Sequence, residues 1–302
     1  MRLATKSWGE ESRPLAVLVH GVNASSLTWW RVGPWFAENG WRAVAVDLRG
    51  HGASPRRRGG ERLEDLAEDV YETVFEAPGA SGADVLLGHS LGALISLELY
   101  RGHGEPARRI VLEEPPGSES INFEEVAREV EADAALAGES PKTLARQYLD
   151  QIPSWAEEDA RNSVAGLRDS DAGPVAGFLR EGLRFDLAQM ASLVAVPILL
   201  VLGSEERGSV LPDPERAAVA VSLQQGTVER FEAGHSIHRD NFEGYVGLLG
   251  GWLGGPRSRR FQPARRPATR PETASNAALS VASSRGSNSK ASSTRRRAAR
   301  IN

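Results

Sequence analysis

Short apolar runs alternate with segments of helical periodicity along most of the chain. The runs are apolar at successive positions, which is typical of parallel strands covered on both faces; they lie near residues 15–20, 42–47, 84–88, 109–113, 197–202 and 227–231. Between two of them, apolar side chains recur at helical spacing at Leu63, Leu66, Ala67, Val70 and Val74. This alternation predicts an α/β fold with a mostly parallel, doubly wound sheet, with Arg2–Trp8 as an added edge strand.

One long segment, residues 117–191, interrupts the alternation. Phe123, Val126, Ala127 and Val130 have helical spacing, and Ser140-Pro141 opens a second helix. The pattern predicts a helical insertion that forms a lid. We therefore expect a core of residues 1–116 and 192–255, a helical cap of residues 117–191, and a tail of residues 256–302.

A serine lies at the junction of a predicted strand and a predicted helix. The sequence Gly88-His89-Ser90-Leu91-Gly92 follows the apolar residues 84–87 and precedes the helical residues 93–100. A sharp strand-to-helix turn exposes the serine hydroxyl, and the flanking glycines permit close backbone approach. This arrangement is typical of a nucleophile elbow. A pentapeptide of this kind also arises by chance, so its context must support it.

Two further turns supply that context. The strand 15–19 ends in His20-Gly21-Val22-Asn23, so the backbone N–H groups of Val22 and Leu91 are candidate donors to an oxyanion. Downstream, an apolar strand is followed by Gly203-Ser204-Glu205-Glu206, and a later strand by Gly234-His235. The chain order is nucleophile, acid and histidine, as in one known arrangement of the Ser-His-acid triad.

With these motifs, residues 2–254 resemble the α/β-hydrolase family. His20-Gly21 is similar to the oxyanion turn of that family, Asp47–Ser54 to its glycine-rich loop, and Gly234-His235 to its histidine loop. The resemblance implies a catalytic triad of Ser90, Glu206 and His235, where Glu206 stands at the position that usually carries aspartate. Glu205 is a near alternative, and Glu113 or Glu114 is a remote one, because some relatives carry the acid at the end of that strand.

Other residues have competing interpretations. Trp29 and Trp30 either line the mouth of the substrate pocket or pack within the first helix. His238 is interpreted as structural rather than catalytic. The histidines are too dispersed to predict a metal site, and we expect neither a metal nor a cofactor.

Composition limits the remaining possibilities. The chain has 302 residues and no cysteine, which excludes disulfides and thiolate catalysis. Residues 256–302 contain 12 basic residues and one acid, so residues 1–255 carry a net charge of about −15. Such a tail cannot bury enough apolar surface to fold; we favour a solvated tail over a tether for nucleic acid or an anionic surface. With no apolar run of membrane length and no secretory signal in residues 1–14, we expect a cytoplasmic protein.

The combined prediction is a serine hydrolase that acts on a small molecule. The expected substrate is a small or medium carboxylic ester, lactone or thioester, cleaved through an acyl-enzyme. Two alternatives use the same fold: a hydrolase or lyase that cleaves carbon–carbon bonds, and a ligand receptor with slow turnover.

Overall fold

A seven-stranded sheet forms the centre of the computed structural model, which describes residues 1–76, 82–136 and 138–255. The strand order is β1-β3-β2-β4-β5-β6-β7, and only β1 is antiparallel to its neighbour. The strands are β1 Thr5–Trp8, β2 Leu15–Val19, β3 Arg42–Val46, β4 Val85–His89, β5 Ile110–Glu113, β6 Ile198–Leu202 and β7 Gly226–Arg230. The predicted α/β class and mostly parallel sheet are confirmed.

Eleven α-helices are present in the described parts of the chain. They are α1 Val32–Glu38, α2 Leu63–Val70, α3 Leu91–His103, α4 Phe123–Leu136, α5 Pro141–Gln151, α6 Glu157–Arg168, α7 Ala172–Gly177, α8 Leu187–Ser192, α9 Asp213–Ser222, α10 Ile237–Asp240 and α11 Phe242–Leu253. Short 3-10 helices cover Ser26–Trp29 and Glu205–Arg207, and π-helical turns cover Tyr71–Phe75 and Phe178–Gly182. Helices α4 to α8 all lie between β5 and β6 in the chain; we call residues 117–191 the helical segment.

The sheet is buried on both faces, as its apolar runs predict. Successive residues of β2 enter different cores: Val17 and Val19 pack with α2 and α3, whereas Ala16 and Leu18 pack with α1 and α11. This division follows from the two-residue period of a strand. It explains why the central strands need apolar side chains at every position.

Strand β7 differs from the prediction. Its residues are mostly exposed, because β7 lies at the edge of the sheet and Val228 alone supplies an apolar side chain at its centre, itself 36% exposed. Among the described helices, none is both long and apolar enough to cross a membrane. The predicted tail, residues 256–302, lies outside the described residues.

Candidate active site

Ser90 occupies a strained turn between β4 and α3. Its backbone has φ 53° and ψ −120°, a combination that costs energy for a residue with a Cβ. The turn is tight because a Cβ on Gly88 would lie 2.2 Å from the Gly92 carbonyl oxygen, and a Cβ on Gly92 would lie 2.1 Å from that of Val19. Both glycines are therefore required by close backbone approach, and the backbone has the sharp strand-to-helix turn of an elbow.

The turn after β2 lies beside the elbow. Val22 and Leu91 line the same pocket as Ser90. Leu91 is the first residue of α3, where backbone N–H groups have no acceptor within the helix. Buried His20 braces this turn: its Nδ1 donates to the Gly21 carbonyl at 2.7 Å, and its Nε2 accepts from the Leu48 N–H at 2.9 Å. Burial lowers the pKa of His20, in keeping with a neutral ring.

His235 reaches the same pocket from the loop between β7 and α10. Its side chain is 3% exposed, and its Nδ1 lies 3.3 Å from Oε2 of Glu114. Glu114 directly follows β5 and is fully buried. The structure thus brings together a serine, a histidine and a carboxylate, although the carboxylate differs from the one that the sequence favoured.

Glu114 is held rigidly. Its Oε1 accepts hydrogen bonds from the Gly203 N–H at 2.7 Å and the Ser209 hydroxyl at 2.8 Å. Its Oε2 accepts from the Val210 N–H at 3.0 Å, beside the contact with His235. Three donors therefore fix the carboxylate in front of the imidazole.

Backbone strain marks the same place. Within the described residues, Asn23, Ser90 and Glu114 are the non-glycine residues with positive φ, at 55°, 53° and 47°. Asn23 lies in the turn after β2, Ser90 forms the elbow, and Glu114 carries the carboxylate beside His235. Since strained residues of this kind cluster at functional sites, their coincidence here supports a candidate active site independently of side-chain chemistry.

The pocket around Ser90 is small and mostly apolar. Its volume is about 50 Å³. One side of the pocket is lined by core residues: Val22, Ser90, Leu91 and His235. The other side is lined by Pro116 and by apolar residues of the helical segment: Ile121, Phe123, Val126, Leu179 and Leu183. The helical segment thus covers one side of the candidate nucleophile, and its role as a lid stays a prediction.

The structure corrects the prediction that Glu206 is the acid beside His235. Glu206 is exposed on the 3-10 helix Glu205–Arg207, and Glu205 is also exposed, with its Oε1 accepting from the Asp213 N–H at 2.8 Å. The carboxylate at His235 belongs to Glu114, one of the remote alternatives. The loop after β6 turns its acidic side chains outward because its backbone, through Gly203 and Val210, is used to bind Glu114.

The two tryptophans do not line the pocket that contains Ser90, which corrects their interpretation as substrate-binding residues. Trp29 is fully buried in the core, with its ring 4.7 Å from that of His238. Trp30 donates its indole N–H to Asp159 of α6 at 2.7 Å. Trp29 ends the 3-10 helix Ser26–Trp29, and Trp30 directly follows it. Both side chains therefore fit the competing interpretation, which is packing around the first helical turn.

A second buried cluster, which no sequence pattern revealed, lies beside the site. His89, Glu113 and His238 each offer a polar atom within 4.8 Å of the others. Both nitrogens of His238 have hydrogen-bond partners: Nδ1 lies 2.8 Å from Glu113 and Nε2 lies 2.8 Å from the Thr28 hydroxyl. A metal ion would have to displace these bonds. Burial lowers the pKa of His89 and His238 well below the usual value and raises that of Glu113.

Comparisons with known proteins identify the family and the fold. A model of the "Alpha/beta hydrolase family" matches residues 16–248. The chain is 27% identical over 266 residues to the magnesium-chelatase 30 kDa subunit of Rhodobacter capsulatus, covering 82% of this chain and 89% of that one. It is also 27% identical over 208 residues to the 2-(acetamidomethylene)succinate hydrolase of Mesorhizobium japonicum, covering 65% and 72%. A crystal structure of an N-formylmaleamic acid deformylase from Pseudomonas putida S16 superimposes with a TM-score of 0.69 at 23% identity, covering 82% and 94%.

Proposed function

Because the chain belongs to the alpha/beta hydrolase family, we propose that it is a serine hydrolase that cleaves a small carboxylic ester, lactone or thioester. The observation that carries this proposal is that Ser90 and His235 line one pocket and that His235 contacts a buried carboxylate behind it. Ser90 lies on a strained elbow, His235 lines the same pocket, and the Nδ1 of His235 is 3.3 Å from a buried carboxylate. These are the three groups that nucleophilic acyl transfer requires.

In the proposed reaction, the Ser90 hydroxyl attacks the carbonyl carbon while His235 Nε2 takes its proton. The negative charge on the carbonyl oxygen is stabilised by the N–H groups of Val22 and Leu91. His235 then returns the proton to the leaving oxygen or sulfur, which leaves an acyl-Ser90 ester. Water, deprotonated by His235, hydrolyses that ester and restores the serine.

We assign the orienting acid to Glu114. A carboxylate at Nδ1 keeps the proton on that nitrogen, leaves Nε2 free to accept the proton of Ser90, and stabilises the imidazolium that forms. Glu114 is positioned for this by its three other hydrogen bonds, so it cannot turn away from His235. The steps above need no cofactor, because the chain supplies nucleophile, base and oxyanion donors.

The pocket favours a short acyl group. A volume of about 50 Å³ beside Ser90 is well below the 300–1,000 Å³ of typical drug-sized ligand sites. Its apolar lining from the helical segment suits a few methylenes at most. We therefore expect acetyl-sized acyl groups to be preferred over long chains.

The test is a series of p-nitrophenyl esters from acetate to octanoate, assayed with the wild type, Ser90→Ala and Ser192→Ala. Ser192 is a matched control because its hydroxyl bonds only within its own turn, to Gln189. We expect kcat on the acetate to fall by roughly 10⁴-fold or more in Ser90→Ala and to stay unchanged in Ser192→Ala. A fall of less than tenfold would refute Ser90 as nucleophile.

The ester series, together with a β-diketone as a further substrate, distinguishes the alternatives. A burst of acylation without turnover would favour a slow receptor. No ester turnover, together with Ser90-dependent cleavage of a β-diketone, would favour carbon–carbon bond hydrolysis. Either result would overturn the proposed ester hydrolase.

A further inference from the structure

Two opposite charges, Arg239 and Glu113, are buried close to the candidate active site without touching each other. Arg239 is 2% exposed and Glu113 is fully buried. Burial lowers the pKa of Arg239, and the charges of Asp159 and, to a smaller extent, Glu113 counteract that effect. A buried charge is costly unless it is hydrogen-bonded. The groups between Arg239 and Glu113 are therefore expected to supply hydrogen bonds to both.

A threonine and a histidine join them. The Thr28 hydroxyl oxygen accepts two hydrogen bonds from Arg239, from Nε at 3.1 Å and from Nη2 at 2.7 Å. With both lone pairs used, Thr28 donates its own proton to His238 Nε2, 2.8 Å away. His238 must then carry its proton on Nδ1, which donates to Glu113 at 2.8 Å. The bonds run in one direction, from the cation through two neutral groups to the carboxylate.

One end of this chain of bonds holds the helical segment. Arg239 Nη1 donates to the Ser163 hydroxyl in α6, and the guanidinium lies 4.8 Å from the ring centroid of Trp155, just before α6. The residue after Arg239 contributes to the same contact, because Trp155 donates its indole N–H to Asp240 at 2.6 Å. Residues 239 and 240 thus contribute to the attachment of α6 to the core, together with the bonds from Trp30 and Arg31 to Asp159.

The other end holds the histidine loop. Glu113 accepts the backbone N–H of His238 at 2.9 Å in addition to the bond from its ring. Three residues earlier in the chain, the carbonyl oxygen of His235 accepts a hydrogen bond from His89 Nε2 at 2.9 Å. His89 directly precedes Ser90. The loop that carries the proposed base is therefore held at both sides, by the residue before the nucleophile and by the residue before Glu114.

We propose that Arg239, Thr28, His238 and Glu113 form a positioning network through which the docking of the helical segment sets the place of His235. None of the four touches the reacting atoms. They act through the backbone of residues 235–238, so that the base is aligned with Ser90 only while α6 is attached to Arg239. This inference rests on the proposed role of His235 as the catalytic base.

The test uses Thr28→Val, which keeps the shape of the side chain and breaks the hydrogen bonds at the centre of the network. We expect kcat on p-nitrophenyl acetate, normalised to titrated active sites, to fall about tenfold, because a small misplacement of a catalytic group is costly. KM should change less than twofold. Thr28→Ser restores the hydroxyl and should remain within twofold of the wild type.

Thr73→Val is the matched control. Thr73 lies in the π-helical turn after α2, where its hydroxyl donates to Asp69 at 2.6 Å and accepts from the Leu3 N–H at 2.9 Å. It should lower the melting temperature without changing kcat per active site. A Thr28→Val enzyme with wild-type kcat per active site, or a Thr73→Val enzyme that loses as much kcat, would overturn the proposal.

Ser163→Ala tests the link to the helical segment without altering the core. It should lower kcat about threefold, and adding it to Thr28→Val should cause less than a further twofold loss, because both variants disrupt one network. Fully additive losses would show that the segment and the loop are independent.

A readout without catalysis separates this inference from the proposed function. In ¹⁵N spectra of histidine-labelled protein, Thr28→Val should shift the unprotonated Nε2 signal of His238 downfield and should also shift the signals of His235. Unchanged His235 signals would refute the network even where Ser90→Ala confirms the hydrolase. If Ser90→Ala retains activity while both histidines respond, the network stands and the proposed function fails.

Discussion

Replacing Glu114 by glutamine tests the assignment of the acid most sharply. The substitution keeps the length and shape of the side chain and exchanges one oxygen for an NH₂ group. In the native protein, each carboxylate oxygen faces two groups: Oε1 faces the Gly203 N–H and the Ser209 hydroxyl, and Oε2 faces the Val210 N–H and His235. A glutamine cannot satisfy all four.

Both orientations of the amide are unfavourable. With NH₂ at the Oε2 position, the amide opposes the Val210 N–H across 3.0 Å, and His235 keeps a hydrogen bond there only by moving its proton from Nδ1 to Nε2. With NH₂ at the Oε1 position, it opposes the Gly203 N–H across 2.7 Å. Each buried donor left unpaired costs about 1–3 kcal/mol. We expect Glu114→Gln to lower stability by about that amount in either orientation.

Catalysis should suffer more than stability. With the amide NH₂ beside it, His235 is favoured in the tautomer that carries its proton on Nε2, and that tautomer cannot accept the proton of Ser90. With the amide oxygen beside it, the tautomer is unchanged, but the negative charge that stabilises the imidazolium is lost. The expected loss in kcat is roughly 10²–10⁴-fold. The assay is hydrolysis of p-nitrophenyl acetate at a temperature where circular dichroism shows the variant to be folded.

Glu206→Gln is the control for this prediction, since Glu206 is exposed and lies on a separate helix. It should retain full activity. Glu114→Asp keeps the charge and should fall between Glu114→Gln and the wild type. The reasoning is refuted if Glu114→Gln keeps more than a third of the wild-type kcat, or if Glu206→Gln loses more than tenfold.

Two further predictions concern stability. Burial lowers the pKa of His20, His51, His89 and His238 below the usual value of 6.5, so below pH 6.5 the unfolded chain binds more protons than the folded one. The free energy of unfolding, measured with urea, should therefore be full above pH 6.5 and should decline as the pH falls, by about 1.4 kcal/mol per pH unit for each titrating histidine. The raised pKa of Glu113 offsets part of this decline. A flat stability profile from pH 7 to 5 would contradict the prediction. Truncation after Gly255 should leave kcat and the melting temperature nearly unchanged, because residues 256–302 offer few large apolar side chains to a core; a truncated chain that fails to fold would show the opposite.

The places of Ser90 and His235 were predictable because local sequence constrains them. The elbow needs glycines at fixed offsets from Ser90, and the contacts of Gly88 and Gly92 show why no other residue fits. His235 follows a strand and a glycine, so its position at the carboxyl edge of a parallel sheet followed from the order of elements. Short-range rules were sufficient for both.

The acid was not predictable in the same way. Glu113 and Glu114 are adjacent at the end of β5, and which of them faces His235 depends on the side of the sheet to which each points. In the structure, Glu113 bonds His238 and Glu114 contacts His235. The positive φ of Glu114 also affects the direction of its side chain, and no sequence pattern predicts that backbone conformation. The network of Thr28 and Arg239 was equally hidden, because it joins residues 211 positions apart.

The order of strands explains why a carboxylate at the end of β5 lies beside His235. β2, β4 and β5 are neighbours at the centre of the sheet, and at one edge they are followed by the turn that contains Asn23, by Ser90 and by Glu114, respectively. β6 is one strand spacing, about 4.8 Å, farther from β4. The loop after β6 therefore has a different role. A Cβ on Gly203 would lie 2.6 Å from the carbonyl oxygens of Ala233 and Gly234, so the histidine loop crosses directly over this glycine on its way from β7. Gly203, which precedes the predicted acid Glu206 in the sequence, thus permits that crossing, and its N–H binds the carboxylate of Glu114.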